Sequence, residues 1–185
     1  QIKARGDRAI AVCRGSSPEL DGLGIQVETG VDITSDQSVA ALVNKFKDEP
    51  IDVLINNAGI LKRVTLDDLD FNNIQQQFEV NAIGTLHFTA AFLPVLSNNA
   101  KVIIMTSRMG SIDDNTSGGS YGYRMSKVAV SMAGKSLAVD LKPRGIAVGI
   151  LHPGLVQTRM TNFYEGGITP QQSVEGLLAR IDELN

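Results

Sequence analysis

The 185-residue chain has no tryptophan, a single cysteine and two histidines, and each scarcity closes off a class of function. Cys13 has no partner for an internal disulfide, and within the apolar run Ala9-Ile10-Ala11-Val12-Cys13 it reads as a buried structural thiol. His87 and His152 stand far apart with no Cys or carboxylate cluster beside them, so metal-ligand spacing is absent. No block of Lys or Arg occurs, and the formal charge is -3, which argues against a nucleic-acid surface or a polybasic membrane anchor. No apolar run approaches membrane-spanning length, and Gln1-Ile2-Lys3-Ala4-Arg5-Gly6 lacks the apolar centre of a signal peptide. The expectation is a cytoplasmic protein whose partner is a small molecule. Linkers, repeats and low-complexity stretches are also missing, so residues 1–185 read as one domain able to bury a substantial core.

What is present is an alternation of two periodicities. Arg8 to Cys13, Ile25 to Val31, Ile51 to Asn56, Val102 to Thr106 and Ile146 to Leu151 are nearly continuous apolar runs, the pattern of strands buried on both faces. Between them, Val39, Leu42, Val43 and Phe46 follow helical spacing behind Ser35 or Asp36 as N-cap. Asp70 to Leu96 and Tyr121 to Leu141 predict two longer helices. Thr169, Pro170 and Gln172 predict a capping box with a first-turn proline, opening a helix through about residue 184. Strands joined by helical crossovers imply a mostly parallel α/β sheet of the doubly wound, Rossmann type, with ligands beyond the carboxyl ends of the strands.

Four segments at those ends carry chemistry. In Tyr123-Arg124-Met125-Ser126-Lys127 the four-residue spacing puts a phenol and an ammonium on one helix face, where the cation is expected to lower the tyrosine pKa. Such pairs also occur by chance on surface helices, so the partners decide. Ser107 stands directly after the strand ending at Thr106, followed by Gly110 and a Gly/Ser-rich loop. Asn56-Asn57-Ala58-Gly59 ends another strand with little bulk, which lets a ligand approach the main chain. His152-Pro153-Gly154-Leu155-Val156-Gln157-Thr158 redirects the chain after a third strand and presents a hydroxyl at Thr158.

In this order the segments resemble the short-chain dehydrogenase/reductases: Asn-Asn-Ala-Gly, a helix asparagine, Ser-x-x-Gly, Tyr-x-x-x-Lys and Pro-Gly-x-x-x-Thr. The resemblance covers nearly the whole chain, and Thr106 to Ile112 is most similar to the C-factor-like and sniffer-type carbonyl reductases. It implies an oxidoreductase in which Tyr123 is the acid/base, Ser107 hydrogen-bonds the reacting oxygen, Lys127 holds the ribose and lowers the tyrosine pKa, and Asn81 anchors a relay water. It also implies that Pro153, Gly154 and Thr158 flank the nicotinamide, that Asn57, Ala58 and Gly59 line the adenine-ribose side, and that Asp32 contacts adenine. Tyr121 is a decoy, since Met125 stands four residues on. By the same resemblance the long helices pair two copies into a homodimer or homotetramer; Met125, Val128, Met132 and Leu137 are consistent with such a contact and equally with an ordinary core.

The dinucleotide type is argued from the end of the first strand, where an acidic residue would repel a 2′-phosphate. Arg14 stands there, followed by Gly15 and Ser16, a guanidinium and a hydroxyl suited to phosphate. NADP(H) is therefore expected over NAD(H). Two departures from the family pattern stand out. The Gly-rich phosphate loop and the strand before it are absent, Gln1 to Gly6 reading as the tail of the first helix, and the last strand is absent too. Without the central strand two inner strands lose their shared neighbour. Then the chain is a fragment, or residues precede Gln1, or the flanks of the sheet meet. Three functions stay open: a carbonyl reductase or alcohol dehydrogenase, a silent binding or regulatory protein on the same scaffold, and an epimerase or dehydratase. The short stretch after Thr158 ranks the third last. Substrate choice falls to Ile112 to Ser120 and Met160 to Gly167, which carry no diagnostic group.

Overall fold

The computed structural model describes residues 1–185. Five parallel strands alternate with helices: β1 (Ile10–Val12), α1 (Pro18–Asp21), β2 (Gln26–Glu28), α2 (Asp36–Lys45), β3 (Ile51–Asn56), α3 (Phe71–Phe78), α4 (Thr85–Phe92), β4 (Leu96–Met105), α5 (Tyr121–Leu141), β5 (Ala147–Leu151) and α6 (Pro170–Glu183). No helix is long and apolar enough to cross a membrane. The expected caps are in place: Ser35 Oγ accepts from Ser38 N–H, and Thr169 and Gln172 form a reciprocal capping box.

The sheet is the point of interest. β3, β4 and β5 form one three-stranded parallel sheet in that order, while β1 and β2 form a separate parallel pair. The flanks do not meet: β1 pairs only with β2 and β3 only with β4, so one edge of each faces away from any strand. The side chains along these free edges are correspondingly open, with Val12 38%, Val53 42% and Ile55 37% exposed.

Period-two alternation along β4 decides how the three-stranded sheet is covered. Val102 and Ile104 face a cluster containing Phe88 and Phe92 of α4 and Val130 and Leu137 of α5. Ile103 and Met105 face Ile181, with Leu177 and Leu178, on α6. Helices on both faces are what a doubly wound arrangement requires.

Several boundaries differ from expectation. The helix expected from Asp70 to Leu96 is broken into α3, a π-helical turn Glu79–Gly84, α4 and a short 3-10 turn, and Leu96 already opens β4. β4 starts early because Ile51 pairs with Leu96 before the register shifts, leaving Asn99 with φ +63 in an irregular bulge. Residues 3–5 form a 3-10 turn stopped by Gly6. Cys13 is half-buried rather than buried, because β1 is covered incompletely. Leu137 points into the core and cannot serve as a surface contact; Val139, Met132 and Met125 occupy the open face of α5 instead.

Candidate active site

Ser107, Tyr123 and Lys127 converge at the carboxyl end of β4. Ser107 leaves the strand in extended conformation, and its Oγ accepts the Met109 N–H at 3.1 Å, capping the turn Arg108–Gly110. That turn lies directly on α5. A Cβ on Gly110 would stand 3.0 Å from the Lys127 carbonyl carbon, so the glycine is what permits the close approach. Tyr123 is buried, and the Ser107 hydroxyl faces its phenol.

Lys127 is buried as well. Its Nζ donates to the Met105 carbonyl at 2.8 Å and lies 5.7 Å from the centroid of the Tyr123 ring. No carboxylate pairs with it, and desolvation pulls its pKa from 10.5 to about 8. The expectation that Lys127 lowers the tyrosine pKa is not met in this arrangement. Burial raises the Tyr123 pKa, and the opposing influence comes from Ser107 rather than from the lysine, whose ammonium is turned to Met105. At neutral pH the phenol is therefore protonated.

Asn81 sits fully buried in the π-helical turn. Its Oδ1 accepts the Ile60 N–H at 2.8 Å, and its Nδ2 donates to the Ile60 carbonyl and to Ser126 Oγ, both at 2.9 Å. Ser126 Oγ in turn donates to the Tyr123 carbonyl at 2.8 Å. The amide therefore ties the loop after β3 to the helix of Tyr123, with both of its N–H donors taken and one lone pair of Oδ1 unclaimed. One helical turn earlier, Gln77 does the same to the next-but-one residue: Oε1 accepts the Lys62 N–H at 3.0 Å and Nε2 donates to the Lys62 carbonyl at 3.1 Å. Ser126 and Gln77 were not singled out from the sequence. The available signal was their polarity at positions of helical spacing beside apolar neighbours, Phe78 and Val130.

Gly59 closes this corner. A Cβ there would lie 3.2 Å from Asn81 Oδ1 and 3.7 Å from Lys127 Nζ, so Gly59 belongs to the site, and the exposed Asn57 and Ala58 lead up to it from β3. Pro153 and Gly154 follow β5; Ser173 Oγ of α6 pins the Pro153 carbonyl at 2.6 Å, and Gly154 takes φ +86. Thr158 begins the turn Arg159–Thr161. His152, half-exposed between β5 and Pro153, has its pKa lowered by desolvation and by Arg108, and is neutral near pH 7.

The residues expected to face the adenosine lie apart from this cluster, on β1 and β2. Arg14 is exposed at the end of β1 without an ion pair, close enough to Asp32 to help lower its pKa behind the stronger influence of Thr34. Asp32 Oδ1 accepts from Thr34 N–H at 2.9 Å and Oγ1–H at 2.7 Å. Ser16 Oγ donates to Asp21 Oδ1 at 2.5 Å. No group of His, Cys, Asp and Glu could hold a metal ion.

Residues 17–167 match the short chain dehydrogenase family model. The chain is 41% identical over 189 aligned positions to 1-hydroxy-2-glutathionyl-2-methyl-3-butene dehydrogenase of Rhodococcus sp. (strain AD45), covering 100% of this chain and 84% of that one. It superposes on the carbonyl reductase Sniffer of D. melanogaster with a TM-score of 0.87 at 28% identity, over 95% of this chain and 80% of the other. An NADPH-bound carbonyl reductase from chicken fatty liver is also similar, with a TM-score of 0.84 at 26% identity, over 93% and 79% of the two chains. A match across Ser107, Tyr123 and Lys127 and the strands that flank them, in sequence and in backbone, leaves one assignment: the chain belongs to the short-chain dehydrogenase/reductase family, a family of oxidoreductases.

Proposed function

We propose that the protein is an NADP(H)-dependent oxidoreductase that interconverts a carbonyl compound and its alcohol. The observation that carries this reading is the burial of Lys127 beside Tyr123 and Ser107. A silent scaffold has no need of an ammonium held out of water without a carboxylate, because desolvating a charge is costly unless something uses it.

The site fits a nicotinamide dinucleotide on its donor chemistry. The Lys127 ammonium has three N–H donors and one protein acceptor, the Met105 carbonyl, which leaves donors for ribose hydroxyls. Gly59, bare of a side chain, lets the loop after β3 close directly on Asn81 and Lys127. When bound, the nicotinamide supplies or takes the hydride at the carbonyl carbon. The chain's own residues handle the oxygen. In the reductive direction Tyr123, protonated through burial, donates its proton to that oxygen while Ser107 holds it by a hydrogen bond. Asn81 and Ser126 act at one remove, fixing the loop at Ile60 and the backbone of Tyr123. Thr158, with Pro153 and Gly154 below it, would face the nicotinamide carboxamide.

NADP(H) is favoured by Arg14, which has no ion pair and can bond a 2′-phosphate bidentately. Ser16 is spent on Asp21, so the guanidinium carries the contact. The similar chicken carbonyl reductase was solved with NADPH. We place the protein in the cytoplasm, where a lone thiol such as Cys13 stays reduced. Met125, Val128, Met132 and Val139, open along one face of α5, fit packing against a second copy.

The test is cofactor oxidation. Purified protein mixed with NADPH and an activated aldehyde is expected to consume nicotinamide absorbance and aldehyde in equal amounts. Consumption of neither, by folded protein that binds NADPH, would sink the reading.

A further inference from the structure

Besides the cluster at Ser107, the same loops line an open cleft of about 440 Å³, bordered by Arg63, Thr65, Met109, Ser117 and Arg124 and by the Gly118 to Tyr121 turn. Its lining includes Met109, two residues after Ser107, and Arg124, directly after Tyr123, so both candidate-site segments contribute to it. Two guanidinium groups in one cleft repel each other, and neither has a carboxylate within ion-pair distance. Arg124 is bound to neutral acceptors: Nε donates to the Gly119 carbonyl at 3.2 Å, Nη1 to the Met109 carbonyl at 3.3 Å and Nη2 to Ser117 Oγ at 2.9 Å. Arg63 makes no side-chain bond at all.

The nearby carboxylate, Asp114, feels Arg124 only weakly and is bonded to Arg108. Asp114 is held by Arg108 through a two-point contact, one limb of it Nη2 to Oδ1 at 3.0 Å. The backbone beside Arg63 is held, because Gln77 fixes both polar groups of its neighbour Lys62, while the Arg63 side chain itself is free. Two cations without an ion-paired carboxylate, two lining hydroxyls at Thr65 and Ser117 and a clamped backbone make a cleft matched to an oxyanion.

We propose that Arg63 and Arg124 bind a carboxylate on the substrate, so that the enzyme prefers carbonyl compounds or alcohols bearing a carboxylate a few bonds from the reacting carbon. This rests on the oxidoreductase reading for the carbon that reacts, and on the cleft alone for the charge. Arg124 is also a loop clamp, so Arg63, exposed and without intramolecular bonds, is the residue to change.

The experiment compares 4-carboxybenzaldehyde with 4-carbamoylbenzaldehyde, equal in shape and different in charge, and in parallel measures calorimetric binding of the two corresponding alcohols. Wild-type protein is expected to show KM and Kd lower for the carboxylate by about tenfold, the share of one charge-assisted hydrogen bond. Arg63→Gln should bring the ratio to within about twofold of one, while Lys47→Gln, the same charge change at a remote exposed position, should keep it. Equal KM for both aldehydes in the wild type, or a preference that survives Arg63→Gln, overturns the proposal while leaving the oxidoreductase reading intact. Binding of the carboxylate that depends on Arg63 with neither aldehyde reduced supports the anion site and removes the reaction.

Discussion

β4 runs for ten residues and takes Val102, Ile103 and Ile104 to complete burial, whereas β1 and β2 run for three residues each and bury none. The two sheets carry different parts of the proposed chemistry. Ser107, Lys127 and Tyr123 sit where helices cover both faces of a strand, so their positions are set by close packing that resists displacement. Arg14 and Asp32 sit on a pair whose backbone is held by one ladder and whose outer edge is open. On the proposed reading, the residues that handle the reacting oxygen belong to the first region, and those proposed to meet the adenosine end belong to the second.

Removing side chains from each sheet should break that contrast open. Ile104→Ala, which empties part of a site between α4, α5 and β4, is expected to cost about 2–5 kcal/mol in denaturant unfolding. Val12→Ala on the free edge should stay under about 1 kcal/mol. Equal costs would show that the two sheets are packed alike.

Titration sharpens the contrast further, because the buried cation lies only in the packed region. Lys127 has a folded pKa of about 8 against 10.5 when exposed, so the unfolded chain binds more protons between those values and stability rises with pH across that window. Below about pH 8 the penalty is present in full. A shift of this size corresponds to about 3 kcal/mol before losses of packing are counted. Lys127→Met should abolish this component of Tm against pH, and an unchanged profile in the variant would place the titration elsewhere.

Arg14→Ala probes the open region with a smaller effect. It should remove about 1.5–3 kcal/mol of binding to NADPH and leave NADH binding nearly unchanged, the value of one hydrogen bond to a charged group. An equal loss for both dinucleotides in calorimetric titration would defeat the assignment of Arg14 to a 2′-phosphate.

Much of this was readable from the chain, for local reasons. The five apolar runs, the caps at Ser35 and Thr169, the Gly6 stop and the strand-end positions of Asn57, Ser107 and Pro153 depend on neighbours in sequence. What escaped depends on distant partners. The π-helical turn at Glu79–Gly84 replaces a continuous helix without altering the apolar spacing that predicted one. Leu137 and Val139 differ by two residues, and only the packing against β4 decides which faces the core. The lysine of a Tyr-x-x-x-Lys pair reads as a cation beside a phenol, yet its ammonium is taken by the Met105 carbonyl, 22 positions away, and burial governs the tyrosine. The split of the sheet was legible as a missing central strand, but whether the flanks would close together was a question of three-dimensional packing.

The account turns on Tyr123 as the proton donor. Tyr123→Phe keeps the ring and removes the hydroxyl, while Tyr121→Phe makes the same change two residues earlier, where no lysine follows at one-turn spacing. Steady-state NADPH oxidation with an activated aldehyde, with thermal melting to confirm folding, compares them directly. Turnover of the Tyr123 variant should fall by roughly two powers of ten or more with cofactor binding retained, and that of the Tyr121 variant should stay near wild type. Wild-type turnover in the Tyr123 variant together with its loss in the Tyr121 variant would contradict the assignment.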